Sequence, residues 1–241
     1  MSEIKPGLSE RLEVVKRKLR EAVKQSGRAE EAVTLIAVSK TFPIAACESA
    51  WQLGVRQFGE NYVQEGVEKI RHFRAEHPDD PGVWHLIGPL QTNKTRLVAE
   101  NFDWMHSLDR LKVAERLSSQ RPVGMPPLNV LIEVNLDGEV TKSGLAPLEL
   151  EAFARKVAAL PGLRLRGLMA IPSAHREGDD KRRPFRMLKA LFDSLKTVCP
   201  EMDTLSMGMS ADMVEAVVEG STMVRVGQAI FGPRDYSSDV G

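Results

Sequence analysis

The chain has 241 residues, 42% of them hydrophobic and 27% charged, enough to build a sizeable core in one large domain or two small ones. Its 33 basic side chains balance its 33 acidic ones, so no global field favours nucleic acid or an anionic membrane surface. Two cysteines, Cys47 and Cys199, make no CxxC pair or Cys/His cluster, the start of the chain is too charged for a secretory leader, and no apolar stretch approaches the roughly 18 residues that cross a bilayer. A reduced, cytoplasmic protein without disulfides, zinc or membrane spans is expected.

In chain order, residues 8–26 predict an amphipathic helix, with Leu12, Val15, Leu19 and Val23 at spacings of three and four, Ser9 as a cap and Gly27 as a stop. The run Leu35, Ile36, Ala37, Val38 predicts a buried strand over 34–40, followed by a turn closed at Pro43. Further β-rich runs follow at 56–60, 84–88, 104–108, 129–136, 163–171, 204–209 and 223–231. Helical patterns lie at 44–54, 61–77, 93–101, 110–120, 147–160, 184–198 and 211–219; in the segment 147–160, Leu148, Phe153, Val157 and Leu160 share a face. Strands alternating with helices call for a parallel sheet with helical crossovers. Eight such units fit a closed (β/α)8 TIM barrel better than an open doubly wound sheet. No Gly/Ser/Pro-rich linker divides the chain, so a single domain over 1–241 is expected, ending in a short polar tail at 233–241.

A barrel of this kind keeps its chemistry at the C-terminal ends of its strands. Lys40 sits at the first of these. An amine held against apolar walls has its charged form disfavoured, which suits it to Schiff-base formation with an aldehyde; the bland alternative is a lysine that snorkels into water. Ser206, Gly208 and Ser210 lie where strand 7 opens into a helix, with Ser210 expected as its N-cap, and Gly227 follows strand 8. Loops after strands 7 and 8 are the recurrent phosphate cradle of the fold, although any one of these residues alone reads as capping or a bend. Arg225, in the apolar run "TMVRVGQAIFG", needs a defined partner, either a barrel carboxylate or a planar ligand with a ring nitrogen. Amine, phosphate cradle and arginine together fit pyridoxal 5′-phosphate.

The motifs "AVSKTFP", "FGENYVQE", "WHLIGPLQTNK", "IEVNLDGEVTKSGL", "GLMAIP", "LSMGMSADMVEAV" and "VRVGQAIFG" carry a resemblance to the pyridoxal phosphate homeostasis protein family, nearly end to end from residue 8 to 235. The resemblance implies an alanine-racemase-like, fold-type III barrel that binds the cofactor covalently and carries it. It also implies Lys40 as the Schiff-base lysine, Asn61 beside the ring and His85 near its face. Ser206, Ser210, Gly227 and Gln228 would surround the phosphate, and Arg225 would face the pyridine nitrogen. One departure is Gln228, where the family often has a small hydroxyl residue; a backbone N–H contact survives that change.

An Asp or Glu facing the ring nitrogen would keep it protonated and make the ring a strong electron sink. Arginine has only donors and keeps its charge, so weak catalysis is expected. The racemase resemblance includes a tyrosine base from a partner's further domain. Neither Tyr236, in the tail, nor Tyr62, at the start of the helix after strand 2, is an obvious replacement. The expected function is to hold the cofactor and deliver it to apo-enzymes that use it, as a monomer and without robust turnover. The alternative is amino-acid racemisation or decarboxylation. A phosphosugar-type enzyme would want bases such as Glu60 and His106, which read more simply as a helix-start carboxylate and a half-buried strand residue. The one basic cluster, "DDKRRPFR" at 179–186, reads as a solvated loop rather than an RNA site. The stretch "NLDGEVTKSG" at 135–144 lacks the ligand count of a calcium loop, and Met207 and Met209 read as packing.

Overall fold

Short, largely buried runs form eight strands in the computed structural model, which describes residues 7–139, 142–173 and 181–233. They are β1 (Thr34–Val38), β2 (Gln57–Glu60), β3 (Val83–Leu86), β4 (Trp104–Leu108), β5 (Leu128–Glu133), β6 (Leu163–Met169), β7 (Thr204–Ser206) and β8 (Met223–Val226). All pair in parallel and in sequential order, and β1 closes on β8 with Ile36 opposite Arg225, giving a closed (β/α)8 barrel. The crossovers are α2 (Ile44–Gln52), α3 (Val63–Glu76), α4 (Thr95–Asn101), α5 (Leu111–Gln120), α6 (Leu150–Ala158), α7 (Arg183–Lys196) and α8 (Met213–Val218), with α1 (Leu8–Gln25) before β1 and a single turn, α9 (Gln228–Phe231), after β8.

The helices lay their apolar faces on the outside of the sheet. In α1 the buried stripe is Leu8, Leu12, Val15, Leu19, Ala22 and Val23. This helix also ties down the seam of the barrel. Arg11 Nε donates to the Ile230 carbonyl at 2.8 Å, and Arg28 donates to the carbonyls of Ser221 and Val217 at 2.8 and 2.6 Å. Inside the barrel a small second core forms from Ile36, Trp104, Leu131, Met169 and Met223. At Gly167, where φ is +152°, a Cβ would fall 1.8 Å from the Thr204 carbonyl oxygen, so only glycine lets β6 approach β7 here.

Several local expectations are corrected. Gly7, in the left-handed region, precedes α1 in place of a Ser9 cap. Leu148 is 99% exposed in a 3-10 turn, because α6 starts two residues later and buries Leu150, Phe153, Ala154 and Val157. The first strand ends at Val38, so Lys40 stands in the turn beyond it. The apolar run at 223–231 splits: β8 stops at Val226, Gly227 breaks it at φ −111° and ψ −85°, and the remainder winds into α9. Tyr236, most of the polar tail and part of the basic cluster lie outside the described residues. Cys47 and Cys199 are both buried as thiols. Among the described residues no helix is long and apolar enough to cross a membrane.

Candidate functional site

The C-terminal ends of β1, β2 and β8, with the loops after β3, β6 and β7, enclose a cavity of about 300 Å³. Its polar lining is Lys40, Asn61, Ser210, Arg225, Gly227 and Gln228; its apolar walls are Val38, Ile87, Ile171 and Met209. Six of the eight site residues expected from sequence therefore meet in one place. Lys40 arrives in the turn after β1, where Phe42 N donates to the Ser39 carbonyl at 3.0 Å. Asn61 directly follows β2 and is backed by Gly88. A Cβ on Gly88 would lie 2.4 Å from the Asn61 carbonyl oxygen and 2.7 Å from its Cα, a clash of backbone that cannot be relieved by side-chain movement.

His85 and Ser206 are absent from the lining. They belong instead to a buried polar column running through the barrel. Gln57 Oε1 lies 2.8 Å from His85 Nε2, His85 Nδ1 lies 2.9 Å from His106 Nε2, and His106 Nδ1 lies 2.8 Å from Ser206 Oγ. Arg225 Nη1 donates to Ser206 Oγ at 2.5 Å and its Nη2 to the Ala170 carbonyl at 3.1 Å. The Gln57 amide oxygen only accepts, so His85 Nε2–H donates to it and the neutral His85 ring accepts at Nδ1 from His106 Nε2–H. His106 Nδ1 then accepts from the Ser206 hydroxyl, whose oxygen accepts in turn from the guanidinium, a group that only donates. Both rings are neutral in this arrangement. Burial agrees: it pushes His85 down to about 3 and, with His85 and Arg225 adding to the effect, holds His106 well below its ordinary value. Burial also draws Arg225 down to about 10, leaving it charged at neutral pH.

Beneath the Lys40 turn lies a second buried group, Glu60 with Lys69. Their atoms are 2.8 Å apart, and Lys69 Nζ also donates to Glu65 Oε1 at 2.7 Å. Burial pushes Glu60 up to about 7, with the Lys69 charge acting against that rise. Glu133, at the end of β5, is likewise pushed up to about 7 by burial, with Asp109 adding to the rise and Arg225 opposing it.

The lining suits an anionic ligand. Its two charged side chains, Lys40 and Arg225, are both cationic, and no carboxylate lines the cavity among the described residues. Ser210, Gly227 and Gln228 line it together with the apolar side chains of Val38, Ile87, Ile171 and Met209. Gly227 sits tight against β1, its hypothetical Cβ 3.2 Å from the Val38 carbonyl oxygen. Ser210 is not the cap of α8: Asp212 occupies that position and its Oδ1 accepts from Met209 N at 2.6 Å, leaving Ser210 exposed at the cavity. Met209 is a wall of the cavity at 38% exposure, not packing like the fully buried Met207. His106 and Glu60 are fully buried, unlike the half-buried strand residue and helix-start carboxylate expected of them. Val38, Ile87 and Ile171 are lining residues not assigned to the site from the sequence; the rule that strand ends line the mouth of a barrel is the signal that finds them.

A family model described as the alanine racemase N-terminal domain matches residues 12–235. The pyridoxal phosphate homeostasis protein of Vibrio cholerae is 53% identical over 230 residues, covering 95% of this chain and 98% of that one. The Escherichia coli K12 protein of the same name is 53% identical over 234 residues with the same coverage. Among solved structures, PipY of Synechococcus elongatus with pyridoxal phosphate bound is 34% identical, with a TM-score of 0.80 over 93% of this chain and 100% of that one. Alanine racemase of Corynebacterium glutamicum, 17% identical with a TM-score of 0.62 over 91% of this chain and 60% of that one, shares the barrel fold.

Proposed function

The chain belongs to the family of pyridoxal phosphate homeostasis proteins, built on the alanine racemase N-terminal fold, and on that footing we propose that it holds pyridoxal 5′-phosphate covalently on Lys40 and releases it to apo-enzymes without robust turnover of its own. The observation that carries the reading is a cavity at the mouth of the barrel with two cations, apolar walls and no carboxylate among its described lining residues. In this reading the Lys40 amine takes the aldehyde, and Ser210 with the backbone of Gly227 and Gln228 takes the phosphate. Asn61 lies beside the ring, Val38, Ile87, Ile171 and Met209 keep water from its faces, and Arg225 donates to the pyridine nitrogen. His85 and Ser206 act one step back, through Arg225, instead of touching the ligand.

When bound, the cofactor supplies an electrophilic aldehyde and an electron-withdrawing ring. The column behind Arg225 limits how far that ring can be used. Ser206 and Ala170 each accept from the guanidinium, which has no proton acceptor of its own and keeps its charge, so it leaves the nitrogen hydrogen-bonded but unprotonated. Storage suits such a site better than carbanion chemistry. Chiral chromatography after incubation of the loaded protein with amino acids tests this. The expected result is no more product than one equivalent per protein; multiple turnovers well above background would replace the carrier by an enzyme.

A further inference from the structure

The turn that presents Lys40 is held from beneath by the buried ionic cluster, which the cofactor-binding reading leaves without a task. Lys69, on α3, is 2% exposed, and Glu60, ending β2, is fully buried. Lys69 Nζ donates to Glu60 Oε1 at 2.8 Å, to Glu65 Oε1 at 2.7 Å and to the Ser39 carbonyl at 2.7 Å. Ser39 Oγ donates to the same Glu60 oxygen at 2.5 Å, and the Thr41 amide donates to Glu65 Oε1 at 2.6 Å. The residues immediately before and after Lys40 are thus tied to a single cluster.

Thr41 requires such a tie. Its φ is +65°, the one positive value among the described non-glycine residues, and a β-branched side chain is strained there. The cluster is itself expensive. A buried Lys–Glu pair must offset the desolvation of two charges and is seldom worth keeping for stability alone. Glu60 Oε2 moreover has no hydrogen-bond partner among the described residues. Strain, buried charge and an orphaned oxygen all converge on the three residues centred on Lys40. Such concentrations gather where backbone geometry serves a site.

We propose that Glu60, Lys69 and Glu65 form a clamp that fixes the backbone on both sides of Lys40 and so delivers its amine to one point of the cavity, with Lys69 and Glu65 as positioning residues. The proposal rests on the reading of Lys40 as the amine that takes the aldehyde. Lys69 holds the carbonyl before Lys40 and Glu65 the amide after it, and Glu60 locks Lys69 between them. With the turn released, Thr41 relaxes toward ordinary β backbone and the amine samples positions away from the cavity.

Glu65→Ala, Thr41→Gly and the double variant test this by two readouts, amide hydrogen exchange at 39–42 in the cofactor-free protein and the rate of covalent capture of added pyridoxal phosphate. Losing one charge-assisted hydrogen bond should speed Thr41 exchange and slow capture by about tenfold each in Glu65→Ala. Thr41→Gly, which removes the strain at positive φ, should restore most of the capture rate in the double variant, a rescue that a general loss of stability would not give. Lys69→Met probes the other arm; should it fail to fold, the Glu65 and Thr41 variants carry the test alone. Unchanged exchange in Glu65→Ala would overturn the clamp, as would faster exchange with unchanged capture. Wild-type protein that captures the aldehyde on another lysine, while Thr41 exchange still responds to Glu65, would overturn the Lys40 assignment instead, so the two failures are distinguishable.

Discussion

Ser206→Ala removes the oxygen at the centre of the polar column. Two partners lose a bond: Arg225 Nη1, which donates to it at 2.5 Å, and His106 Nδ1, which accepts from it at 2.8 Å. Arg225 is 4% exposed and His106 fully buried, so bulk water does not replace what is lost. An unsatisfied buried group costs about 1–3 kcal/mol, and a bond to a charged donor lies toward the upper end. Arg225 keeps its second bond, to the Ala170 carbonyl, which prevents the full penalty of an orphaned charge. A loss of about 3 kcal/mol follows, and in a chain of this length that lowers the melting temperature by roughly 6–12 °C. Thermal unfolding of the cofactor-free protein, followed by circular dichroism, measures it, with Ser210→Ala as the comparison because that side chain is exposed and expected to be neutral. Ser206→Ala melting within about 2 °C of wild type would refute the wiring of the column and, with it, the fixed guanidinium.

Gly88→Ala should destabilise the protein by about 1–3 kcal/mol and weaken cofactor capture, because the added methyl meets the backbone of Asn61 at 2.4 Å; melting curves and capture assays check both. Gln228→Ala should change cofactor affinity by less than about threefold if the backbone N–H makes the contact, and a tenfold loss in an absorbance titration would move the contact to the side chain. The buried histidines set a pH dependence. His85 falls from an ordinary 6.5 to about 3, so its neutral form contributes stability that is complete above 6.5 and is lost as pH falls toward 3. Glu60 and Glu133, raised to about 7, act in the opposite sense, since their contribution is present at low pH and is lost as pH rises from the ordinary carboxylate value through 7. Wild type and His85→Gln should therefore diverge by about 1.4 kcal/mol per pH unit between roughly pH 5 and 6 in urea melts, with wild type losing ground as pH falls; parallel profiles would contradict a neutral His85.

The barrel was legible because its signals are local: apolar runs of strand length alternating with helical stripes such as Leu12, Val15 and Leu19. Where the period is too short to count, the reading slips. "GQAIF" after β8 is apolar enough to continue a strand, and only the backbone break at Gly227 turns it into a helix. Ser210 looks like a cap on local grounds, yet α8 starts only at Met213, so the cap position falls on Asp212, whose side chain turns back to accept from Met209 N. Strand-end positions and motif resemblance together picked out Lys40, Asn61, Ser210, Arg225, Gly227 and Gln228, which line one cavity. Neither showed what stands behind them. His106 and Ser206 are 100 residues apart in sequence, and nothing near either one signals their hydrogen bond. Lys69 sits in "EGVEKIRHF", where a lysine on an amphipathic helix reads as a surface residue; its burial follows from its reach to Glu60 at the end of β2 and to Ser39 in the turn after β1.

Borohydride reduction of the protein loaded with pyridoxal phosphate, followed by peptide mapping, tests the central claim most directly. The pyridoxyl group should lie on Lys40, in a peptide containing "SKTFP", and Lys40→Ala protein should be colourless and unlabelled at the cavity. A Lys40→Ala protein that still binds the cofactor covalently with an unchanged absorption spectrum would contradict the account.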